Sequence, residues 1–304
     1  MISINELETF KKKNNLAIDF NFNLKKTNWF NIGGKTKAFF KAKNLNELRI
    51  YIKEFGLKEK IFILGNGSNI LIDDNKTYDG TFIKLGKNFS NISILPNNVI
   101  VAGSAATDKK LSNFAQENNI GGLEFLSCIP GTVGGGLKMN SGCFDREFKD
   151  ILISIQALDR KGNLITIPSS KLNFEYRKNN LDKNLIFLSA SFQGTFKDKE
   201  KIKDGVEKMI ILKEKTQPTR IKTGGSTFKN PVSQTKKKVW ELINQSVPKD
   251  VKFGDAKISE KHCNFFINTK DSSFDDMKNL IEYVKEKVKL KTGIDLETEI
   301  EIIS

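Results

Sequence analysis

The sequence predicts an α+β protein of two domains. Its 304 residues are about twice the length of an average domain, so the chain can bury more than one core. Strand-like and helix-like stretches are mixed without the strict alternation of a Rossmann sheet. Gln217-Pro218 follows a long amphipathic stretch and predicts a boundary between residues 1–216 and a smaller domain of residues 217–304.

The individual elements follow from hydrophobic periodicity. Helical spacing predicts helices at residues 4–14, 44–56, 200–215, 236–245 and 273–291; in the second of these, Leu45, Leu48 and Ile52 share one side. Apolar or alternating runs predict strands at 61–64, 81–85, 98–103, 151–158, 163–167, 185–193, 263–268 and 296–303. Asp159–Gly162 predicts a hairpin turn between two of these strands.

The charge balance is strongly basic but says little about partners. The chain has 50 Lys+Arg against 36 Asp+Glu, a formal net charge of +14. Only five of the basic residues are arginine, the side chain favoured for reading bases and for gripping phosphates bidentately. The lysines are scattered, so we expect a solvated surface and no nucleic-acid partner, although a positive field attracts anionic small molecules.

Scarcity of histidine and cysteine excludes several mechanisms. One histidine, His262, rules out a His-rich zinc site, and no metal is expected. Three cysteines, odd in number and far apart, indicate reduced thiols. His262 fits a structural role, and Cys128 and Cys143 fit small buried thiols.

No apolar run reaches the ~18 residues of a membrane span, and Met1–Phe10 lacks a signal-peptide core. We therefore expect a cytoplasmic protein without membrane insertion.

Two glycine-rich segments are candidates for binding a phosphate-bearing ligand. Leu64–Asn69 follows a predicted strand, and its glycines let successive N–H groups form a nest for anionic oxygens. Taken alone, a tight turn is the simpler interpretation. Ile129–Gly136 contains four glycines and a proline, which predicts a rigid loop and no regular helix or strand. Together the two segments favour a dinucleotide site over two unrelated turns.

Three further motifs carry groups suited to catalysis. Arg177 can clamp a carboxylate or enolate with paired donors, or form a surface salt bridge. Ser226 follows two glycines and can donate a proton, or cap a Gly-Gly turn. Glutamates alternate along Glu297–Glu301, where a solvated strand face is the simplest interpretation.

In this order, the motifs resemble the UDP-N-acetylenolpyruvoylglucosamine reductases of peptidoglycan synthesis, in their shorter form. The resemblance covers almost the whole chain and is carried by Thr27–Gly34, Leu64–Asn69, Gly122–Phe125, Ile129–Gly136, Met139–Gly142, Phe174–Arg177, Gly224–Pro231, Ala256–Phe265 and Leu296–Ile300. It implies an FAD-binding fold of the vanillyl-alcohol-oxidase (PCMH) type, made of two subdomains, and a smaller α+β C-terminal domain for the UDP-sugar. Cys143-Phe-Asp145 stands where the family often has Ala-Tyr-Gly, which removes a hydroxyl.

The resemblance also implies the reaction and its residues. UDP-N-acetylglucosamine enolpyruvate would be reduced to UDP-N-acetylmuramate, with NADPH as hydride donor and FAD as cofactor. Arg177, Ser226 and Glu299 would be catalytic, and a slip to Glu297 or Glu301 stays open. The expected FAD contacts are Gly65, Asn66, Gly67, Ser68, Asn69, Pro130, Gly131, Thr132, Gly134, Gly135, Asn140 and Gly142. The candidate substrate contacts are Tyr176, Lys229, Asn230 and Lys257, with Arg220 as a further candidate.

The closest alternative is another FAD-dependent oxidase of the same fold, acting on a sugar or hydroxyacid. Many such oxidases tether FAD through a histidine of the FAD domain, and this chain has none before His262, so we expect non-covalent FAD. A Lys-rich nucleic-acid-binding module is disfavoured by the glycine loops and the few arginines. We expect a monomer; the sequence leaves the preference between NADPH and NADH open.

Overall fold

The computed structural model describes residues 2–304, which form two compact units. The first unit contains the chain through Phe22, Thr36–Gly65 and Asp79–Lys213. The second contains Asn23–Lys35, Asn66–Tyr78 and Glu214–Ser304. Two segments from the N-terminal half therefore pack with the C-terminal residues in the second unit.

Helices and strands are mixed along the described residues, as expected for an α+β fold. The helices are α1 (Ile4–Asn14), α2 (Leu45–Phe55), α3 (Asp108–Glu117), α4 (Val133–Met139), α5 (Lys199–Thr216), α6 (Val239–Ser246) and α7 (Phe274–Thr292). The strands are β1 (Ile18–Asn23), β2 (Lys35–Ala42), β3 (Ile61–Leu64), β4 (Ile70–Ile72), β5 (Thr77–Leu85), β6 (Ile92–Leu95), β7 (Val99–Gly103), β8 (Ile120–Gly121), β9 (Gly142–Cys143), β10 (Arg146–Glu147), β11 (Leu152–Leu158), β12 (Leu164–Pro168), β13 (Phe174–Glu175), β14 (Lys178–Asn179), β15 (Ile186–Gln193), β16 (Thr195–Phe196), β17 (Lys222–Ser226), β18 (Lys252–Phe253), β19 (Ala256–Ile258), β20 (Phe265–Asn268) and β21 (Glu301–Ile303). None of the helices within residues 2–304 has the length and apolar character needed to cross a membrane.

The first unit is built on two sheets. One has the order β1-β2-β5-β3, with β3 and β5 parallel. Its core contains the apolar side of α2, where Leu48 and Ile52 are fully buried and Leu45 is partly buried, as the periodicity predicts. The other sheet is antiparallel with the order β12-β11-β15-β7-β6, and β11 and β12 form the predicted hairpin. Each sheet has its own apolar cluster, consistent with two subdomains.

The second unit packs α6 and α7 against an antiparallel sheet of order β17-β20-β19-β18. One side of α7 is buried, including Met277, Leu280, Ile281, Val284 and Val288. A short parallel pair, β21 with β4, completes the unit. In this way the last strand of the chain joins a segment that directly follows the first glycine-rich motif.

Two sequence predictions are wrong in detail. Gly134 to Gly136 lie in helix α4, although the glycine content predicts an irregular loop. Thr132 caps this helix, and its hydroxyl accepts the Gly135 N–H at 3.4 Å. The final strand covers only Glu301–Ile303 and not residues 296–303, because the chain first pairs with residues 227–229, bends, and then joins β4.

Close packing explains why a glycine at position 136 is compatible with a helix. A Cβ atom there would lie 2.3 Å from the buried Phe148 ring. We therefore expect Gly136→Ala to lower the free energy of unfolding by about 1–3 kcal/mol. This steric cost exceeds the gain from the better helix propensity of alanine. Gly135→Ala is the matched control, since the nearest atom to its Cβ would be Thr132 Oγ1 at 3.6 Å. Urea unfolding of the FAD-free protein measures both. Equal stability of the two variants would contradict the packing argument.

Candidate active site

The first glycine motif adjoins the second at one defined point of the first unit. A Cβ on Gly65 would lie 2.9 Å from Thr132 Oγ1. Gly65 ends its segment of this unit, directly after β3, and Thr132 directly precedes α4. Gly65 of the first motif thus lies beside Thr132 of the second, although the two residues are far apart in sequence.

Gly67, in the second unit, has a structural reason for being glycine. Its φ is +64°, and a Cβ would lie 2.3 Å from the carbonyl oxygen of Thr27. Its own carbonyl accepts the Trp29 N–H at 2.9 Å. The tight turn inferred from the sequence is therefore present and packs against Thr27–Trp29, another segment of the resemblance.

The start of α4 combines fixed backbone with an open surface. The N–H groups of Val133 and Gly134 donate to the carbonyls of Ala106 and Ser104, each at 2.9 Å. Gly135 is exposed, and a Cβ atom added there would have only Thr132 Oγ1 within 4 Å. The side-chain-free surface around Gly65 and Gly135 leaves room for a ligand to approach the backbone closely. These residues fit the phosphate-bearing part of FAD.

Asn140 and Gly142 hold a partly buried arginine. Asn140 is fully buried, and its amide donates to Glu147 Oε2 at 3.0 Å and to the Glu175 carbonyl at 3.1 Å. Its carbonyl accepts from Arg177 Nη1 at 3.2 Å, and the Gly142 carbonyl accepts from Arg177 Nη2 at 2.8 Å. The side chain of Asn140 is thus engaged by the protein.

Arg177 lies in the turn between β13 and β14, with a φ of +53°. Its Nη1 lies 3.2 Å from Glu147 Oε1, and the two side chains are only 13% and 16% exposed. The guanidinium also stacks 4.9 Å from the centre of the Tyr176 ring. These contacts orient the guanidinium, in contrast to the exposed surface ion pair that the sequence left open.

Ser226 and Glu299 lie on paired segments of the second unit. Ser226 ends β17, and the next residue, Thr227, accepts the Glu299 N–H at 2.8 Å through its carbonyl. Asn69 lies on the other side, where its amide donates to the Glu299 carbonyl at 2.9 Å. The candidate acid, the candidate glutamate and the end of the first glycine motif therefore come together.

The three C-terminal glutamates have different environments. The Glu297 side chain is 77% exposed and pairs with Lys229 at 3.2 Å. Glu301 is exposed in β21. Glu299 is half-buried at the bend between the two paired stretches.

The remaining substrate candidates lie in the second unit. Lys257 Nζ pairs with Glu260 at 2.9 Å, and the Asn230 side chain accepts the Val239 N–H at 3.0 Å, at the start of α6. Arg220 is exposed with a φ of +58°.

His262 accepts the Asn264 N–H at 3.2 Å through Nδ1, consistent with its expected structural role. No group of potential metal ligands occurs within residues 2–304.

Two charged residues of this region were missed by the sequence reasoning. Glu147 orients Arg177 but sits in a polar stretch that carries no motif. Asp108 begins α3, and its N–H donates to the Gly131 carbonyl at 3.4 Å. Its side chain is completely buried, and neither carboxyl oxygen has a hydrogen-bond partner among the described residues.

This burial raises the pKa of Asp108 well above its usual value. Between the ordinary carboxyl pKa and the raised one, the folded state holds a proton that the unfolded state releases. The free energy of unfolding therefore falls as pH rises, by up to about 1.4 kcal/mol per pH unit. We expect Asp108→Asn to stabilise the protein more at about pH 8 than at about pH 5. Urea unfolding at both pH values tests this, with the exposed Asp19→Asn as control. An Asp108→Asn effect that does not change with pH would contradict it.

Comparisons with known proteins agree with this arrangement. A family model described as the UDP-N-acetylenolpyruvoylglucosamine reductase C-terminal domain matches residues 217–303, and one described as an FAD binding domain matches residues 36–168. The UDP-N-acetylenolpyruvoylglucosamine reductase of Pelagibacter ubique (strain HTCC1062) is 61% identical over 302 residues, covering 99% of this chain and 100% of its own. That of Rickettsia massiliae (strain Mtu5) is 42% identical over 282 residues, covering 93% and 94%. The crystal structure of the Thermus caldophilus UDP-N-acetylenolpyruvylglucosamine reductase has a TM-score of 0.81 at 27% identity and covers 95% of this chain and 99% of that chain.

The fold and the two matched domains define an FAD-dependent oxidoreductase with a separate C-terminal domain. The chain belongs to the UDP-N-acetylenolpyruvoylglucosamine reductase family. The predicted family, the PCMH-type fold class and FAD as cofactor are thereby confirmed.

Proposed function

We propose that this enzyme reduces UDP-N-acetylglucosamine enolpyruvate to UDP-N-acetylmuramate, a step of peptidoglycan precursor synthesis, with NADPH as the hydride donor. It works as a cytoplasmic monomer. Residues 1–216 serve as the FAD domain and residues 217–304 as the UDP-sugar domain. The observation that carries the proposal is the convergence of Ser226, Glu299 and Asn69 on paired segments of one unit.

FAD is held non-covalently by the two glycine motifs. The backbone around Gly65, Thr132 and Gly135 would hold its phosphates, with Asn66, Gly67, Ser68, Pro130, Gly131 and Gly134 as the other members of the two motifs. Asn140 and Gly142 keep Arg177 beside the cofactor segment through their carbonyls. When bound and reduced by NADPH, FAD supplies the hydride for the methylene carbon of the enolpyruvyl group.

Arg177 and Glu299 bind the carboxylate on which negative charge develops. The Arg177 guanidinium is already oriented by Glu147, so it stabilises this charge without having to reorganise. Glu299 acts in its protonated form, because two ionised carboxylates facing each other would repel. Ser226 donates its hydroxyl proton to the carbon next to the carboxylate, which completes the lactyl ether.

The nucleotide part of the substrate is bound by neutral and cationic groups. Tyr176 lies directly beside the catalytic Arg177. Lys229 and Lys257 supply positive charge for the diphosphate, and their present partners, Glu297 and Glu260, are highly exposed carboxylates that are easily exchanged for a ligand. Asn230 follows Lys229 directly, and Arg220 is a further cation in the same unit.

The test is NADPH oxidation by the purified, yellow protein, followed at the nicotinamide absorbance band with and without UDP-N-acetylglucosamine enolpyruvate. We expect oxidation that depends on the enolpyruvyl sugar and yields UDP-N-acetylmuramate. Acid should release the flavin, since the chain has no histidine before His262 to tether it. A yellow protein that ignores this substrate and oxidises a sugar or hydroxyacid would instead support the oxidase alternative.

A further inference from the structure

The strand that carries the candidate acid has one extra residue relative to its partner. In the pairing of β17 with β20, Thr223 lies opposite Ile267 and Ser226 lies opposite Phe265. Three steps along β17 therefore match two steps along β20, which defines a β-bulge. Gly225 lies within the bulge and has a φ of +80°. A bulge changes the direction of the side chains next to it, so the orientation of Ser226 depends on what fixes the backbone that follows.

Asn264 fixes that backbone. Its carbonyl accepts the Thr227 N–H at 2.8 Å. Its side chain then extends the pairing by one residue: the amide oxygen accepts the Phe228 N–H at 3.0 Å, and the amide nitrogen donates to the Phe228 carbonyl at 2.9 Å. An asparagine side chain can do this because its amide has the same donor and acceptor as a peptide group. Asn264 and Phe228 are both buried, so water does not compete for these bonds.

The main chain of β20 does not supply the contacts to Phe228, because it turns away at this point. The Phe265 N–H donates to the His262 carbonyl at 2.9 Å, which closes the turn. The Asn264 N–H donates to Nδ1 of His262 at 3.2 Å. Burial lowers the pKa of His262 and so favours the neutral imidazole, which can accept this bond. Asn264 is thus held in the turn by its own backbone while its side chain is left to bind Phe228.

The segment fixed by Asn264 also holds the candidate glutamate. The Thr227 carbonyl accepts the Glu299 N–H at 2.8 Å, and the Lys229 N–H donates to the Glu297 carbonyl at 2.9 Å. Residues 227–229 therefore lie between Asn264 and the C-terminal glutamate segment. A shift of these residues would displace the candidate acid, which directly precedes them, relative to Glu299.

We propose that Asn264 is a positioning residue that sets the place of the Ser226 hydroxyl through the backbone of residues 227–228. This inference rests on the proposed function, in which Ser226 protonates the carbon next to the substrate carboxylate. Asn264 itself transfers no proton. Proton transfer requires the donor at the correct distance from the carbon, and a displacement of about 1 Å costs on the order of 10²-fold in rate. Loss of the Asn264 amide should therefore slow this step and leave flavin reduction unaffected.

Rapid-mixing kinetics of the full-length, FAD-loaded protein tests the proposal. We expect Asn264→Ala to slow flavin reoxidation by the enolpyruvyl sugar by about 10–10²-fold, with a near-normal rate of flavin reduction by NADPH. Ser273→Ala is the control, since it removes the hydroxyl that caps α7 in the same unit and should lower stability without slowing reoxidation. Normal reoxidation in Asn264→Ala, or equal slowing of both half-reactions, would overturn the proposal.

A double variant distinguishes positioning from general damage. In the Ser226→Ala background, Asn264→Ala should slow reoxidation by less than about 3-fold more, because the group that it positions is already absent. The same factor in both backgrounds would overturn a role through Ser226. If alanine prevents folding, Asn264→Ser takes its place, since one hydroxyl cannot contact both Phe228 groups as the amide does. A normal reoxidation rate in Asn264→Ser would likewise contradict the proposal.

Amide hydrogen exchange of the FAD-loaded protein needs no substrate and so keeps this inference apart from the proposed function. We expect peptides containing Thr227 and Phe228 to exchange faster in Asn264→Ala than in the wild type or in Ser273→Ala. Unchanged exchange in these peptides would overturn the positioning role even in an active enzyme. Faster exchange in a protein whose wild-type form does not react with the enolpyruvyl sugar would instead contradict the proposed function.

Discussion

Ser226→Ala is expected to reduce turnover by about 10²–10³-fold while NADPH still reduces the bound FAD at a near-normal rate. Alanine removes the one hydroxyl proposed to protonate the substrate carbon and leaves β17 otherwise intact. The Thr227 and Phe228 N–H groups that follow it are bonded to Asn264, so the backbone position of residue 226 does not depend on its hydroxyl. Rapid-mixing measurements of flavin bleaching by NADPH, and of its recovery on addition of the enolpyruvyl sugar, separate the two half-reactions.

Ser226→Cys is the matched control for this prediction. A thiol is larger than the hydroxyl but keeps a transferable proton, so we expect turnover between that of the wild type and that of Ser226→Ala. Loss of function through misfolding would instead lower both half-reactions in both variants. Near-normal turnover of Ser226→Ala would show that the proton comes from another group.

Hydrophobic periodicity was sufficient to predict most of the long elements. The helix predicted at residues 4–14 is α1, and that predicted at 273–291 is α7, because apolar residues recur at helical spacing in both. It was insufficient where a distant contact decides the conformation. Gly134 to Gly136 lie in α4, where Gly136 packs closely against Phe148. The final strand is divided because residues 297–299 and Glu301–Ile303 have different partners. Neither partner can be inferred from local spacing.

The candidate site shows the same distinction. The glycine motifs and the Arg177 and Ser226 segments were recognisable because their residue types and order are unusual. The approach of Gly65 to Thr132, and the proximity of Asn69 to Glu299, depend on how the sheets are connected. Glu147 and Asp108 were missed because a single acidic residue acquires its role only through burial beside a particular neighbour. Asn23–Lys35 and Asn66–Tyr78 belong to the second unit, and no local sequence pattern indicates this assignment.

Arg177→Lys is expected to lose turnover by about 10²–10³-fold, with a raised KM for the enolpyruvyl sugar and little change in flavin reduction by NADPH. Lysine keeps the positive charge but is a point charge without the planar fork. It cannot contact the carbonyls of Asn140 and Gly142 and the Glu147 carboxylate at once, as the guanidinium does. The remaining charge would therefore be displaced from the substrate carboxylate. Steady-state kinetics with the enolpyruvyl sugar, together with the flavin half-reactions, measures these effects.

Glu147→Gln separates positioning from direct binding. Glutamine keeps the shape of Glu147 and can still accept a hydrogen bond from Arg177, so only the ionic part of the contact at 3.2 Å is lost. If Arg177 binds the substrate, this variant should lose about 10-fold or less in turnover, far less than Arg177→Lys, at comparable thermal stability. If Arg177 only ties β9 and the β13–β14 turn together, the two variants should instead show parallel losses of stability and of activity. Comparing the loss of turnover with the loss of thermal stability in the two variants therefore distinguishes a catalytic arginine from a purely structural one. An arginine that binds the substrate carboxylate stabilises the transition state, whereas a structural contact stabilises only the fold.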